Sequence, residues 1–245
     1  MNILDNNRIK KKIFMIDPKR WWGDDFDVRF YLILKLQELA NKKILDIGGG
    51  IGIISSEIPQ NNLKINLDLS FKDLIMCKKI NDKIIQNVCG SMTHLPFREE
   101  YFDHVIAANI LEVGKENDLN NNIENNNGFI SIHKTINEIH RVVKKEGVVY
   151  FTTPNNEYYK TIKLTYNELK NSLMPCFTEF KISFYNTYPK LHKKYRKLNM
   201  ANIIPRLLLK IKKKESVIDS LCKTKSQNNY SVSFFVEARK KQGEI

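Results

Sequence analysis

The chain has 245 residues, and 42% of them are hydrophobic, which is enough to bury a sizeable core and excludes a chain that is disordered throughout. Because charged residues interrupt every run of eighteen, the sequence predicts no membrane-spanning helix. Forty basic residues stand against 27 acidic ones, so the formal net charge is +13. A charge of this sign usually indicates an anionic partner such as nucleic acid or a membrane surface.

The cysteines and the first residues indicate the compartment. Cys77, Cys89, Cys176 and Cys222 lie far apart with no CxxC pair, which argues against a zinc site and a disulfide framework. The first residues contain no apolar stretch of the kind found in secretory signals. We therefore expect a cytoplasmic protein without a bound metal ion.

Residues 1–42 form a polar lead-in, which we expect to be an N-terminal helical cap with a helix around 30–36. From residue 43 onward, short apolar runs alternate with helical patterns. Strands are predicted at 44–47, 65–68, 84–88, 102–108 and 148–153. Ile132, Ile136, Ile139 and Val143 recur at helical spacing between the last two of them. This alternation predicts an α/β fold with a mostly parallel sheet and helices on both faces.

Two further segments, 177–185 and 230–238, alternate in polarity and predict a final pair of strands. We expect the core to span 43–188 and 230–241, interrupted by a basic insertion at 189–229. Residues 181–225 contain thirteen basic residues and two acids, so this region holds most of the excess positive charge.

Four of the ten glycines lie within residues 48–52, directly after the first predicted strand and before a helix expected to start at Ile53. A glycine-rich turn lets the backbone approach a ligand closely, and a helix start presents N–H groups to it. Asp68 ends the second predicted strand twenty residues after Gly48. A carboxylate in this position can accept hydrogen bonds from both ribose hydroxyls of a nucleotide-like ligand.

The glycine spacing discriminates between ligands. The sequence reads Asp46-Ile47-Gly48-Gly49-Gly50-Ile51-Gly52, which is neither the GxGxxG of nicotinamide-binding folds nor a phosphate-binding P-loop. The acid at Asp46 would repel a pyrophosphate and would suit a ligand that carries a cationic amine.

These residues resemble class I S-adenosylmethionine-dependent methyltransferases of the methyltransferase type 11 kind. The resemblance covers about residues 43–155 and rests on four motifs. They are 44–52 with the glycine turn, Asp68-Leu69-Ser70, 90–97 with Phe102-Asp103, and 141–147 before the fifth predicted strand. It implies a Rossmann-like, seven-stranded sheet with an antiparallel last strand.

The resemblance also implies S-adenosylmethionine as the cofactor and ten contact residues. These are Asp46, Ile47, Gly48, Gly50, Gly52, Asp68, Leu69, Ser91, Met92 and Asn109. The family usually carries an aspartate near adenine at the position of Ser91, so adenine recognition is expected to depend more on the backbone of Met92.

The sequence identifies no catalytic residue, and His104 inside a predicted strand is expected to be structural. The N-P-P-Y motif of amino-methylating relatives is absent at Asn109, which favours transfer to oxygen or carbon. Leu111-Glu112 is similar to the Leu-Glu-His of ubiquinone-pathway O-methyltransferases, but Val113 replaces the histidine. The acceptor is expected to be a small or lipid-like molecule. The alternatives are an RNA methyltransferase and a non-catalytic nucleotide-binding module.

The basic insertion is predicted to be amphipathic, with Ile204, Leu207 and Ile211 on one face and Arg206 and Lys210 on another. Such a helix can cover a substrate pocket or lie on an anionic membrane. Both interpretations stay open. The second implies peripheral contact with a membrane, and contact with nucleic acid is a third, weaker interpretation.

Overall fold

The computed structural model describes residues 26–81, 85–120, 124–125, 128–156, 164–185 and 233–241. The strands are β1 (Lys43–Ile47), β2 (Leu63–Asp68), β3 (Gln86–Cys89), β4 (Phe102–Ala108), β5 (Glu124–Asn125), β6 (Gly128–Phe129), β7 (Val143–Pro154), β8 (Glu179–Tyr185) and β9 (Ser233–Arg239). The helices are α1 (Phe26–Gln37), α2 (Phe71–Asn81), α3 (Leu111–Asn120), α4 (Ile130–Val142) and α5 (Tyr166–Leu173). None of these helices is long and apolar enough to cross a bilayer.

Seven strands form one sheet in the order β3-β2-β1-β4-β7-β9-β8, and β5 pairs with β6 in a separate hairpin. The strands from β3 to β7 in this order pair in parallel. Strand β9 is antiparallel to both of its neighbours. The predicted Rossmann-like, seven-stranded sheet with an antiparallel last strand is therefore confirmed.

Helices cover both faces of the sheet, as the sequence predicts. Ile132, Ile136 and Ile139 of α4 are almost completely buried against one face. On the other face, Leu32 of α1 is fully buried, and the Tyr31 ring lies 4.9 Å from that of Phe235. A sheet covered in this way explains why β1 is apolar on both faces, with the exceptions of Lys43 at its start and the buried Asp46.

The prediction of a helix that starts at Ile53 is wrong. The glycine turn leads into a single 3₁₀ turn at Ser55–Glu57, and the chain is extended at Ile58, with ψ 135°. Pro59 explains the difference, because proline disfavours helical geometry in the residue before it and cannot donate the next helical hydrogen bond. The turn is therefore not followed by an α-helix N-terminus.

The predicted N-terminal cap is described only from residue 26 onward, and the predicted insertion at 189–229 lies outside the described residues. The points where this second segment leaves and rejoins the sheet are described. Tyr185 at the end of β8 pairs with Ser233 at the start of β9, and Ser233 pairs with Pro154 at the end of β7. The chain therefore departs and returns at the edge where β7 ends.

Candidate functional site

The carboxyl ends of the parallel strands form the candidate site, as is usual for open α/β sheets. The glycine turn follows β1, Asp68 ends β2, Ser91 lies two residues after β3, and Asn109 follows β4. The pairing of neighbouring strands brings these positions to one edge of the sheet. The predicted contact residues are thus close to one another along this edge.

The turn needs glycine at its alternate positions. Gly48, Gly50 and Gly52 have φ angles of 68°, 53° and 76°, a region that side chains disfavour. A Cβ on Gly48 would collide with Ile110, whereas a Cβ on Gly50 would have only Asp68 nearby, at 3.9 Å. The space that a Gly50 side chain would occupy is therefore open, with Asp68 at its border.

Asp68 connects the turn to the start of α2. Its Oδ2 accepts a hydrogen bond of 2.8 Å from the Gly50 N–H, and its Oδ1 accepts one of 2.8 Å from the Ser70 N–H. A carboxylate oxygen can accept two hydrogen bonds, so each oxygen keeps capacity for another donor. Asp68 is half-buried, and the Leu69 side chain beside it is 70% exposed.

Asp46 lies under the turn and is only 1% exposed. Its Oδ2 accepts a hydrogen bond of 2.7 Å from Ser55 Oγ, while its Oδ1 has no hydrogen-bond partner. Burial raises the pKa of Asp46 to about 6, an effect that the Ser55 hydrogen bonds oppose and the Asp68 charge reinforces. The carboxyl group can therefore carry a proton under mildly acidic conditions.

Asn66 is a polar residue that sequence reasoning missed, although its place between Ile65 and Leu67 in an apolar strand was a visible signal. It is fully buried and is the register partner of Asp46 on β2. Its Nδ2 donates a hydrogen bond of 3.0 Å to the carbonyl oxygen of Gly50. Asn66 thus fixes the turn through the Gly50 carbonyl oxygen, while Asp68 fixes it through the Gly50 N–H.

The loop after β3 contains Ser91 and Met92, which are both half-buried. Ser91 Oγ lies 2.9 Å from Thr93 Oγ1 and accepts a 3.3 Å hydrogen bond from the Thr93 N–H. The serine hydroxyl is therefore already engaged within its own loop.

Glu138 and Arg141 of α4 anchor this loop. Glu138 Oε2 accepts a 2.7 Å hydrogen bond from the Leu95 N–H, and Arg141 donates to the carbonyl oxygens of Leu95 and Phe97. The two side chains also form an ion pair of 2.7 Å. Hydrogen bonding from Arg141 lowers the pKa of Glu138, an effect that burial opposes. The sequence motifs included Arg141 only as the first residue of the motif at 141–147 and missed Glu138, whose spacing of three residues from Arg141 on a helix was the available signal.

Asn109 is fixed at the end of β4 in a left-handed conformation, with φ 55°. Its N–H donates to the Thr152 carbonyl oxygen at 2.8 Å, and its Oδ1 accepts from Thr152 Oγ1 at 3.0 Å. One turn further, the Glu112 carboxylate accepts a 3.2 Å hydrogen bond from Thr153 Oγ1. These contacts build a polar corner between β4 and β7, of which the sequence predicted only Asn109.

His104 is buried within β4, where its ring stacks on Tyr150 at 5.9 Å. Burial lowers its pKa to about 4, so the ring is neutral at pH 7. His104 lies four residues before β4 ends at Ala108, and therefore away from the candidate site. This position agrees with the structural role that the sequence predicted.

Comparison with known proteins agrees with this geometry. Residues 45–151 match the family model of the methyltransferase domain. An uncharacterised protein of Methanocaldococcus jannaschii is 28% identical over 127 residues, which are 51% of this chain and 47% of that protein. The match therefore spans about half the length of this curated relative.

Two solved structures share the fold. A TehB-like S-adenosylmethionine-dependent methyltransferase of Corynebacterium glutamicum has a TM-score of 0.58 at 14% identity, covering 96% of this chain and 99% of that one. A methyltransferase of the same cofactor class from Thermotoga maritima has a TM-score of 0.54 at 17% identity, covering 96% and 99%. The family match and the sheet topology together identify residues 45–151 as a methyltransferase domain with the class I fold, and this match implies S-adenosylmethionine as the cofactor.

Proposed function

We propose that the protein transfers a methyl group from S-adenosylmethionine to a small-molecule or lipid-like acceptor, at an oxygen or carbon atom. The observation that carries this proposal is the convergence of the glycine turn, Asp68 and the polar corner around Asn109 at one edge of the sheet. When bound, the cofactor supplies a methyl group on a positively charged sulfur, already activated for transfer. The chain then has to align the two reactants and exclude water.

The residues at this edge fit the cofactor. Asp68 is a half-buried carboxylate with unused acceptor capacity, so we assign it to the ribose hydroxyls. The exposed Leu69 beside it offers an apolar surface to the base. The backbone at Gly48, Gly50 and Gly52 is assigned to the methionine part of the cofactor, because the left-handed turn brings it close without side chains.

We assign adenine to the loop after β3. Ser91 brings no charge and its hydroxyl already contacts Thr93, so the backbone at Met92 is the better candidate for the adenine edge. Ile47 ends β1 with its side chain buried, so it contributes to the site through its backbone. Asp46 acts from beneath the turn through its charge, which favours a cationic ligand above it.

The acceptor is proposed to enter beside Asn109 and Glu112. The hydrogen bonds to Thr152 and Thr153 fix both side chains where β4 and β7 end, next to Ile110, which touches the glycine turn. The half-buried Glu112 carboxylate gives this side of the site a polar group that can orient an acceptor hydroxyl.

Residues 189–229 are proposed to contact the acceptor. The flanking strands β8 and β9 support this, since Tyr185 and Ser233 lie at the same edge as the end of β7. The basic, apolar composition of the segment favours an acidic or lipid-like acceptor over a neutral polar one.

Isotope labelling tests the proposal. The protein is incubated with S-adenosylmethionine that carries a labelled methyl group, together with a fractionated cell extract, and the products are identified by mass spectrometry. We expect the label in the small-molecule or lipid fraction. Label in RNA, with binding that weakens steeply as salt increases, would establish the RNA alternative. Cofactor binding without labelled product in any fraction would support the non-catalytic alternative.

A further inference from the structure

Two buried oxygen atoms beneath the glycine turn have no hydrogen-bond donor among the residues that the structure describes. They are Asp46 Oδ1 and Asn66 Oδ1, on side chains that are at most 1% exposed. Asp46 and Asn66 are register partners on β1 and β2, and a Cβ on Gly49 would collide with Asn66 Oδ1 and with Oδ2 of the Asp46 carboxyl group. A buried acceptor without a donor is costly, so one hydrogen between the two groups would remove two penalties at once.

The orientation of the Asn66 amide is fixed by its surroundings. Its Nδ2 lies 3.0 Å from the Gly50 carbonyl oxygen, 3.0 Å from Asn87 Oδ1 and 3.5 Å from Cys77 Sγ. The Gly50 carbonyl oxygen can only accept a hydrogen bond, so exchanging the amide nitrogen and oxygen of Asn66 would place oxygen against oxygen there. The oxygen of Asn66 therefore lies beside Gly49, where the Asp46 carboxyl group also lies, and its missing hydrogen has to come from another group.

We propose that Asn66 is a positioning residue of the cofactor site, which holds Gly50 through its amide nitrogen and, in mildly acidic solution, accepts a hydrogen bond from protonated Asp46 until the positively charged cofactor binds. On binding, the O–H bond at Asp46 Oδ1 breaks and the proton passes to solvent. The carboxylate keeps the electron pair and its charge balances the ligand above the turn.

The electrostatic surroundings of Asp46 agree with this exchange. Burial already raises its pKa to about 6. Among the described residues, the charge of Asp68 on β2 raises the pKa of Asp46, and the charge of Asp46 in turn raises the pKa of Cys77 on α2. Its partner on β4 is the apolar Ile106, and Lys64 on β2 directs Nζ to the Ile58 carbonyl oxygen. A cationic ligand above the turn would stabilise the ionised form of Asp46.

Calorimetry of the full chain with S-adenosylmethionine tests the proposal without relying on activity. Titrations between pH 5.5 and 8 in two buffers of different ionisation enthalpy give the number of protons released per cofactor bound. We expect about half a proton near pH 6 and close to none at pH 8, where Asp46 is already ionised. Proton release that is absent throughout this range would overturn the proposal.

Asp46→Asn fixes the protonated arrangement, because the new amide can donate to Asn66 Oδ1 while its oxygen accepts from Ser55. This variant should fold, bind the cofactor more weakly, and release no proton at any of these pH values. Release equal to that of the wild type would show that another group loses the proton, and the proposal would be wrong.

Asn66→Leu separates positioning from simple structural support. It should weaken cofactor binding about tenfold, equivalent to about 1.4 kcal/mol, and shift the midpoint of proton release to lower pH, because protonated Asp46 loses its acceptor. The matched control is Asn62→Leu. Asn62 is also buried and hydrogen-bonded to Lys42, Leu39 and Pro59, but it lies at the opposite end of β2. If Asn66→Leu lowers the melting temperature as the control does, with unchanged affinity and midpoint, Asn66 is structural only.

Discussion

Asp68 Oδ2 lies 2.8 Å from the backbone nitrogen of Gly50 and accepts its hydrogen, so a side chain at the end of β2 fixes the turn at the end of β1. The second oxygen of the same carboxylate holds the Ser70 N–H at the start of α2. The group assigned to the ribose therefore also shapes the turn assigned to the methionine part. A change at Asp68 should affect both.

Asp68→Ala is expected to weaken binding of S-adenosylmethionine by about 1–3 kcal/mol, roughly 5- to 150-fold in Kd, because charge-assisted hydrogen bonds are lost. Titration calorimetry at pH 7.5 measures the change. The matched variant Asp68→Asn keeps one acceptor oxygen and should lose less. Full affinity in Asp68→Ala, with the fold intact by circular dichroism, would contradict the ribose assignment.

Gly48→Ala should lower both the melting temperature and cofactor affinity. The new Cβ would collide with Ile110, and the backbone φ of 68° is strained for any side chain. Gly114→Ala is the control, since this glycine lies within α3 and its nearest neighbours would be 3.4 Å or more from a Cβ. Alanine there should be neutral or stabilise the protein by about 0.5–1 kcal/mol. Equal effects of the two substitutions would refute the steric argument.

The sequence predicted the parts of the fold that local patterns control. Strand β4 has the predicted bounds, and α4 follows the spacing of its isoleucines. The helix expected at Ile53 does not form, because Pro59 disfavours helical geometry at Ile58.

The site was predicted only where it depends on motifs. Asp68 and the glycines belong to motifs at a recognisable spacing, whereas Asn66, Glu138 and Thr152 act through contacts with Gly50, Leu95 and Asn109 that no motif marks. Such pairs follow from strand register and helix docking, which a single sequence does not reveal.

The stability of the protein without cofactor should depend on pH through Asp46. Its pKa is raised from 3.8 to about 6 in the folded chain, so folding favours the protonated form. The stabilising contribution is complete below pH 3.8 and is lost as the pH rises towards 6 and above. Between pH 4 and 7, Asp46→Asn should therefore gain about 2 kcal/mol in unfolding free energy relative to the wild type. Urea denaturation at both pH values measures this difference, and a constant difference would argue against a raised pKa.

Glu138→Gln should destabilise the protein, and its effect should depend on pH in the opposite sense to that of Asp46. The pKa of Glu138 is lowered from 4.5 by its hydrogen bond to Arg141, so its contribution is present above pH 4.5 and is lost as the pH falls. We expect a loss of about 1–2 kcal/mol at pH 7 that shrinks below pH 4, by the same denaturation assay. Glu146→Gln is the control, because Glu146 is 60% exposed and meets Arg239 only at 3.7 Å. It should change stability by less than about 0.5 kcal/mol. If the two variants behave alike, the anchoring role of Glu138 is wrong.

The central claim is that the turn from Gly48 to Gly52 and the Asp68 carboxylate together bind S-adenosylmethionine. A crystal structure of the full chain grown with saturating cofactor tests it most directly. The account predicts electron density for the methionine part along the turn and for the ribose within hydrogen-bonding distance of Asp68. A crevice that stays empty under these conditions, or one filled by the protein's own side chains, would contradict it.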